Sequence, residues 1–305
     1  MKAIRLHQPI GVDGLTFEDA PDAQAAIGDV LVNVHAAGIT ASELWWPIWN
    51  DQLGHKREYI IPAQEFSGVV VGMGFGTAGF EVGDEVFGLI SAYRDGAAAE
   101  LLAVEARDVA LKPKSVDHVH AAAVPQAGLT SWQALFTHGP LTAGQSVVIH
   151  GAAGAVGSVA VQLAHNAGVR VIGTGRSAAR AVALEMGADA FVDLEQERWE
   201  ASIGPVDVVF DTIGGDVLER SVSLLKPGGA LITVAGALPD ETRTDIRAVS
   251  FVRQTDREQL RQLAEMVDGG KLRPPVGAVY PLAQTKQAFA DKSGHQVVGR
   301  VILQP

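Results

Sequence analysis

The stretch SVVIHGAAGAVGSVAVQLA, residues Ser146 to Ala164, places the tightest limit on the fold. SVVIH is a near-continuous apolar run, the pattern of a strand buried on both faces. GAAG is a turn of small residues, and the remainder is an apolar helix. Strand, small turn and helix in that order open a βαβ unit, which requires a parallel sheet covered by helices.

The same rhythm continues downstream. VRVIGT (Val169 to Thr174), DVVFDT (Asp207 to Thr212) and ALITVA (Ala230 to Ala235) are further buried-strand runs, and the weaker AFVDL and SFVRQ bring the expected sheet to six strands. The helical stretches AVGSVAVQLAHNAG and SAARAVALEMGA reach Gly168 and Gly187, each suited to a left-handed C-terminal cap. A doubly wound α/β fold explains this pattern. Upstream, DVLVNVHAAGI (Asp29 to Ile39), EFSGVVVGMG (Glu65 to Gly74) and GFEVGDEVFG (Gly79 to Gly88) alternate or run apolar between turn residues, as in a mainly antiparallel β domain. REQLRQLAEMVDGG is a helix ending at Gly269, and GRVILQP is a last strand expected to pair back with the N-terminal β domain. The expected division is 1–122 for the first part of the β domain, 123–266 for the parallel-sheet domain and 267–305 for the segment that completes the β domain.

Composition narrows the function classes. The 305-residue chain has 47% hydrophobic and 19% charged residues and no cysteine, which excludes disulfides and thiolate-bound metal. Twenty-four basic against 35 acidic residues give a net charge of −11. Such a surface repels nucleic-acid phosphates and anionic lipid, and the longest basic cluster is only His55-Lys56-Arg57. No run is long enough to cross a bilayer, and MKAIRLH alternates like a strand rather than a signal peptide, so a cytoplasmic location is expected.

A dinucleotide fingerprint needs small residues at three places, here Ala152, Gly154 and Gly157: for the tight turn, the approach of backbone amides to a pyrophosphate, and the packing of helix on sheet. The helix N-terminus then directs free N–H groups at the phosphates. A small-residue turn with no ligand is the alternative. NAD-specific units present an acid at the end of the second strand. That slot is Gly175, followed by Arg176, Ser177 and Arg180. Lost carboxylate and added guanidinium favour the 2′-phosphate of NADP over NAD. The competing explanation has Ser177 capping the helix and both arginines solvated.

PQAGLTSWQALF, GQSVVIHGAAGAVGSVAVQLA, DVVFDTIGG and LLKPGGALITV occur in this order. Together they resemble the zinc-independent quinone oxidoreductase family of the medium-chain dehydrogenase/reductase superfamily, from VLVNVHAAGIT to GRVIL. The resemblance implies a Rossmann doubly wound parallel sheet plus a GroES-like β domain formed by both termini. The superfamily's zinc-dependent branch has Cys and His where this chain has Ile39 and Gln64, so no metal site is expected. His118 and His120, the one tight histidine pair, are taken as surface residues at a helix start.

The implied chemistry is hydride transfer from NADPH to a quinone or α,β-unsaturated carbonyl. By position, the resemblance puts Thr130 near the nicotinamide or phosphates, Ala153, Gly154, Ala155, Val156 and Gly157 at the pyrophosphate, and Thr212 and Ile213 toward the adenosine or ribose. Ala235 and Gly236 would pass the nicotinamide, Phe251 and Val252 would form a further wall, and His295 would reach the phosphates. Thr40 stands where many relatives have Asn at the nicotinamide or substrate. Trp45, Trp46, Trp49 and Tyr59 are candidates for a flat substrate wall with core packing as the alternative, and Tyr93 is a candidate proton donor. A catalytic acid is not assigned. Two other functions remain open: an alcohol or aldehyde oxidoreductase, and a non-catalytic NADPH-binding sensor or structural protein. A homodimer joined edge-to-edge through ALITVAGAL is also implied.

Overall fold

The alternation in Asp29–Ile39 belongs to the longest strand of a β sheet. In the computed structural model, residues 1–45, 49–51, 53–239, 243–294 and 296–305 are described. They form two units: Met1–Gln126 with Thr255–Gly270 and Pro274–Pro305, and Ala127–Gln254 with Lys271–Arg273.

The first unit begins with β1 (Lys2–Leu6) and β2 (Leu15–Asp19), an antiparallel pair. There follow β3 (Asp29–Ile39), β4 (Glu65–Met73), β5 (Glu85–Leu89), β6 (Leu101–Glu105), β7 (Val109–Leu111) and α1 (His118–Ala122). Helix α2 (Pro125–Trp132) leads into the second unit. There the chain runs β8 (Ser146–His150), α3 (Ala155–Asn166), β9 (Arg170–Gly175), α4 (Arg180–Glu185), β10 (Ala190–Asp193), β11 (Val206–Asp211), α5 (Gly215–Ser221), β12 (Leu225–Thr233) and β13 (Arg247–Ser250). It returns to the first unit with α6 (Arg257–Asp268), β14 (Val276–Pro281), α7 (Thr285–Ser293) and β15 (Arg300–Gln304).

The second unit holds a six-stranded parallel sheet in the order β10-β9-β8-β11-β12-β13, the winding order reversing between β8 and β11 as in a doubly wound sheet. Val148, Val209 and Leu231 from its central strands are fully buried with Trp199 and Leu218. Gly168 and Gly187 take the left-handed conformation (φ +71° and +108°) expected of helix caps. Two expectations need correction. The sixth strand is Arg247–Ser250, not SFVRQ, because the chain leaves the sheet after Ser250 and Val252 is 66% exposed. β12 is interior, paired with both β11 and β13, so ALITVAGAL offers no free edge.

In the first unit β15 pairs antiparallel with β3, closing a seven-stranded sheet in the order β14-β15-β3-β4-β5-β7, with β6 also on β3. Strands from before and after the parallel-sheet unit therefore build this sheet, the GroES-like arrangement. Helix α6 belongs here rather than with the parallel sheet, where a boundary at 266 would put it. Leu260, Leu263 and Val267 form its buried face, the Asp268 carboxylate accepts from Ser115 N at 2.8 Å, and Thr255 Oγ1 donates to Asp108 at 2.6 Å.

The core of the second unit contains an imidazole that must stay neutral. Ser221 Oγ donates to Val217 O (2.5 Å), so it accepts from His150 Nε2 (2.7 Å), which leaves His150 Nδ1 to accept from Thr174 Oγ1 (2.7 Å). Burial pushes His150 down to about 4 against the pull of Asp211. A histidine pKa lower in the folded chain means that the unfolded chain binds more protons between that value and about 6.5, so stability falls as the pH falls through this window. The expected loss is about 3 kcal/mol between pH 6.5 and 4. Urea unfolding of the wild type and His150→Asn across that range checks it; equal pH slopes for the two proteins would refute the assignment.

Candidate functional site

Gly151, with φ +72°, makes the tight turn after β8, one residue before the Ala152 expected from the sequence. Ala152 is instead buried: its N–H donates to Thr174 O (3.0 Å), and a Cβ on residue 173 would come within 2.9 Å of its methyl group. Gly154 N donates to Gly151 O (2.8 Å), and Gly154 is the extended residue ahead of α3. Ser158 N→Gly154 O (2.9 Å) is the helix's first i→i−4 bond. The amides of Ala155, Val156 and Gly157 precede it and are donors of the kind an anion takes at a helix N-terminus. A Cβ on Gly157 would lie 2.1 Å from Gly151 O, so helix meets turn backbone to backbone. The residues present fit a pyrophosphate: packing requires glycine at 157, and Gly154 is exposed beside the free amides.

The other expected cofactor residues of this unit, except Thr130, follow the carboxyl ends of the parallel strands. After β9, Gly175 is buried, and Arg176, Ser177 and Arg180 are exposed. Ser177 does not cap the helix; its N–H and hydroxyl donate to Glu195 Oε2 at 3.4 and 3.3 Å. Arg180 lies over the Phe191 ring, 5.2 Å from its centroid. After β11, Thr212 Oγ1 donates to His150 O (2.8 Å), and Ile213 is exposed. The buried Asp211 carboxylate accepts from Ile213 N (3.1 Å), Gly214 N (3.0 Å) and Thr233 Oγ1 (2.7 Å), fixing the turn between these strands. A Cβ on Gly214 would lie 3.3 Å from that of Ala235, so the turns after β11 and β12 abut. Ala235 and Gly236 are exposed, Ser250 Oγ donates to Gly236 O (2.7 Å), and Phe251 packs on His138 with ring centroids 4.5 Å apart. Thr130, on α2, is buried at 5% exposure. Asp211 escaped the sequence reading, although an Asp ahead of Gly-Gly is a recognisable side-chain turn signal.

In the first unit, Thr40 Oγ1 accepts from Gln126 Nε2 (2.9 Å) and Arg300 Nη1 (3.1 Å). Arg300 is 2% exposed and ion-paired with the fully buried Glu65, whose other oxygen accepts from Gln126 N at 2.8 Å. Burial lowers the Arg300 guanidinium to about 10 and Glu43 opposes the shift, so it stays charged at neutral pH. Among the described residues, the candidate substrate residues do not gather at one cavity. Tyr59 and Tyr93 line one of about 350 Å³ and Trp49 another of about 610 Å³, while Trp45 is 74% exposed at the end of a short turn. Trp46 and His295 lie outside the described residues. His118 sits between Ser67 Oγ (2.8 Å) and Glu85 (3.3 Å), and His120 contacts Asp117 at 2.7 Å.

Two family descriptions match the chain: an alcohol dehydrogenase GroES-like domain over residues 26–114 and a zinc-binding dehydrogenase over 186–303. The 2-methylene-furan-3-one reductase of Solanum lycopersicum is 32% identical over 80% of this chain and 63% of its own length. The quinone oxidoreductase of Coxiella burnetii superposes with a TM-score of 0.89 at 27% identity, covering 100% of this chain and 99% of that one. The chain belongs to the quinone oxidoreductase-like family of the medium-chain dehydrogenase/reductase superfamily. A mycobacterial member of this fold solved in complex with NADPH matches with a TM-score of 0.86 at 25% identity, over 100% of both chains. Membership of the family makes the chain an oxidoreductase, and two of its relatives are named for NAD(P)H: the NAD(P)H oxidoreductase of Danio rerio and the NADPH-dependent alkenal/one oxidoreductase of Arabidopsis thaliana. A zinc ion bound as in the family's zinc-dependent relatives does not fit the residues present. Ile39 is a buried hydrocarbon, Gln64 offers only an amide, and the Glu65 carboxylate is neutralised by Arg300. Among the described residues, no helix is long and apolar enough to cross a membrane.

Proposed function

We propose that the chain transfers a hydride from NADPH to a quinone or an α,β-unsaturated carbonyl without zinc. The observation that carries this is the turn from Gly151 to Gly157, built backbone-on-backbone with its first helical amides free. In this reading Ala153 to Gly157 hold the pyrophosphate, and Arg176, Ser177 and Arg180 face the 2′-phosphate. Thr130, Thr212, Ile213, Ala235, Gly236, Phe251 and Val252 line the remainder of the cofactor. NADPH, when bound, supplies the hydride.

The acceptor's oxygen gains negative charge as the hydride arrives and needs a donor. Thr40 suits that role. Its hydroxyl oxygen already accepts from Gln126 and the Arg300 guanidinium, so what remains to it is a proton to give.

NADPH and NADH oxidation, with 9,10-phenanthrenequinone and a simple enone as acceptors, tests this in the wild type and in Arg176→Ala. The wild type is expected to turn over with NADPH preferred. Arg176→Ala is expected to lose about tenfold of that preference, the worth of one charge-assisted hydrogen bond. No turnover with either acceptor would refute the reaction class, and an unchanged preference would refute the role of Arg176.

A further inference from the structure

At the end of β9 the chain supplies an anion of its own. β10 pairs in parallel with β9 so that Asp193 lies opposite Gly175. Just beyond, Leu194 N donates to Gly175 O (2.9 Å), and Glu195 N donates to Asp193 Oδ1 (3.0 Å). These contacts set Glu195 beside Ser177 by strand pairing rather than by chance of a long side chain. Glu195 Oε2 then takes both donors of Ser177, the N–H at 3.4 Å and the hydroxyl at 3.3 Å. Those are the donors a 2′-phosphate would use there. Arg180 meanwhile rests over Phe191.

We propose that Glu195 is the specificity-determining residue for the cofactor's 2′ position, competing with the 2′-phosphate of NADPH for Ser177 and accepting the 2′-hydroxyl of NADH. The proposal rests on the cofactor reading given above. A phosphate dianion and a carboxylate repel, so NADPH must displace Glu195 before it engages Ser177. A ribose 2′-hydroxyl is a donor, and a carboxylate held at that place accepts it without rearrangement. In NAD-binding units an acid at the end of the second strand does this work. Here that slot is Gly175, and the neighbouring strand delivers the acid instead. Arg176 and Glu195 thus act in opposition, and the chain discriminates between the two dinucleotides less than its arginines alone would make it.

Calorimetric binding of NADP+, NAD+ and 2′,5′-ADP to the wild type, Glu195→Gln and Glu195→Ala tests the proposal without turnover. Glu195 is exposed, so both variants are expected to fold. Each is expected to raise the NADP+ to NAD+ affinity ratio by about tenfold, equivalent to one charge-assisted hydrogen bond gained. The affinity for 2′,5′-ADP should rise in step, because that ligand carries the 2′-phosphate and no nicotinamide. A ratio within about twofold of wild type in both variants, a difference of less than about 0.5 kcal/mol, overturns the role of Glu195. Absence of binding heat with either dinucleotide in the wild type overturns the cofactor reading and this proposal with it, and is told apart because no ratio can then be measured.

Discussion

Arg300→Ala is expected to destabilise the first unit by about 3–5 kcal/mol, because it strands a buried carboxylate. Strand β3 lies between β15 and β4, with Gly38 flanked by Ile302 on one side and Glu65 on the other. The Arg300–Glu65 pair passes over that glycine, where a Cβ would lie 2.2 Å from Glu65 Oε1. No side chain fits between the charges and the sheet. Taking both groups out of water is costly, and Arg300 Nε finds no partner among the described residues, so the pair itself is not expected to add net stability over an apolar replacement. Removing the cation alone is the damaging change. The double variant Glu65→Gln/Arg300→Met should therefore recover most of the loss, which separates an unpaired charge from a packing defect. Urea unfolding at neutral pH measures both. A loss below about 1 kcal/mol in Arg300→Ala would show that water reaches Glu65 and that the pair matters little. Thr40 loses a donor in the same variant, so acceptor reduction should fall even at temperatures where the protein stays folded.

What could be read in advance was what burial imposes on residue type. β8, β9, β11 and β12 were legible because central parallel strands are buried on both faces and must be apolar throughout. β13 was not, because a short edge strand with half-exposed residues carries no such constraint, and the apolar Phe251-Val252 drew the assignment past its end. Helix α6 was legible as an amphipathic helix, yet its pattern says only that one face is buried and not against what, hence its assignment to the wrong unit. The turn after β8 was legible in its glycines and misplaced by one residue, since Ala152 and Gly151 are both small and only backbone geometry separates them. The polar pairs were hidden for a different reason. Glu65 with Arg300, and Ser177 with Glu195, are brought together by sheet register, and each partner read alone is an ordinary charged or polar residue near a strand end. That Ile39 and Gln64 are not the Cys and His of the resembled zinc-dependent branch could be read directly, whereas the guanidinium on Glu65 could not.

Gly157→Ala is expected to weaken dinucleotide binding by about a hundredfold, the loss of one to two charge-assisted hydrogen bonds. The added methyl group would lie 2.1 Å from Gly151 O, 2.7 Å from Gly151 C and 3.0 Å from Ala152 Cα. Every one of those atoms is backbone, so there is no flexible side-chain end to yield, and α3 must draw away from the turn. The helix carries the amides of Ala155, Val156 and Gly157, and a shift of about 1 Å is enough to spoil their aim at a phosphate. The same shift unpacks the buried face formed by Val159, Ala160 and Leu163, so the melting temperature should fall as well. Gly154→Ala is the informative counterpart. Residue 154 has φ −72°, which alanine adopts freely, and the nearest atom to its Cβ is Gly151 O at 3.1 Å. That variant should lower the melting temperature far less than Gly157→Ala, since Gly151 O need yield only a few tenths of an ångström, while losing NADP+ affinity because its methyl group intrudes where the backbone is proposed to approach the pyrophosphate. If Gly154→Ala binds NADP+ as wild type does, the phosphates do not approach there, and the loss in Gly157→Ala is a packing effect alone. If affinity falls with stability largely intact, the turn is a cradle shaped for a ligand as well as a joint between strand and helix.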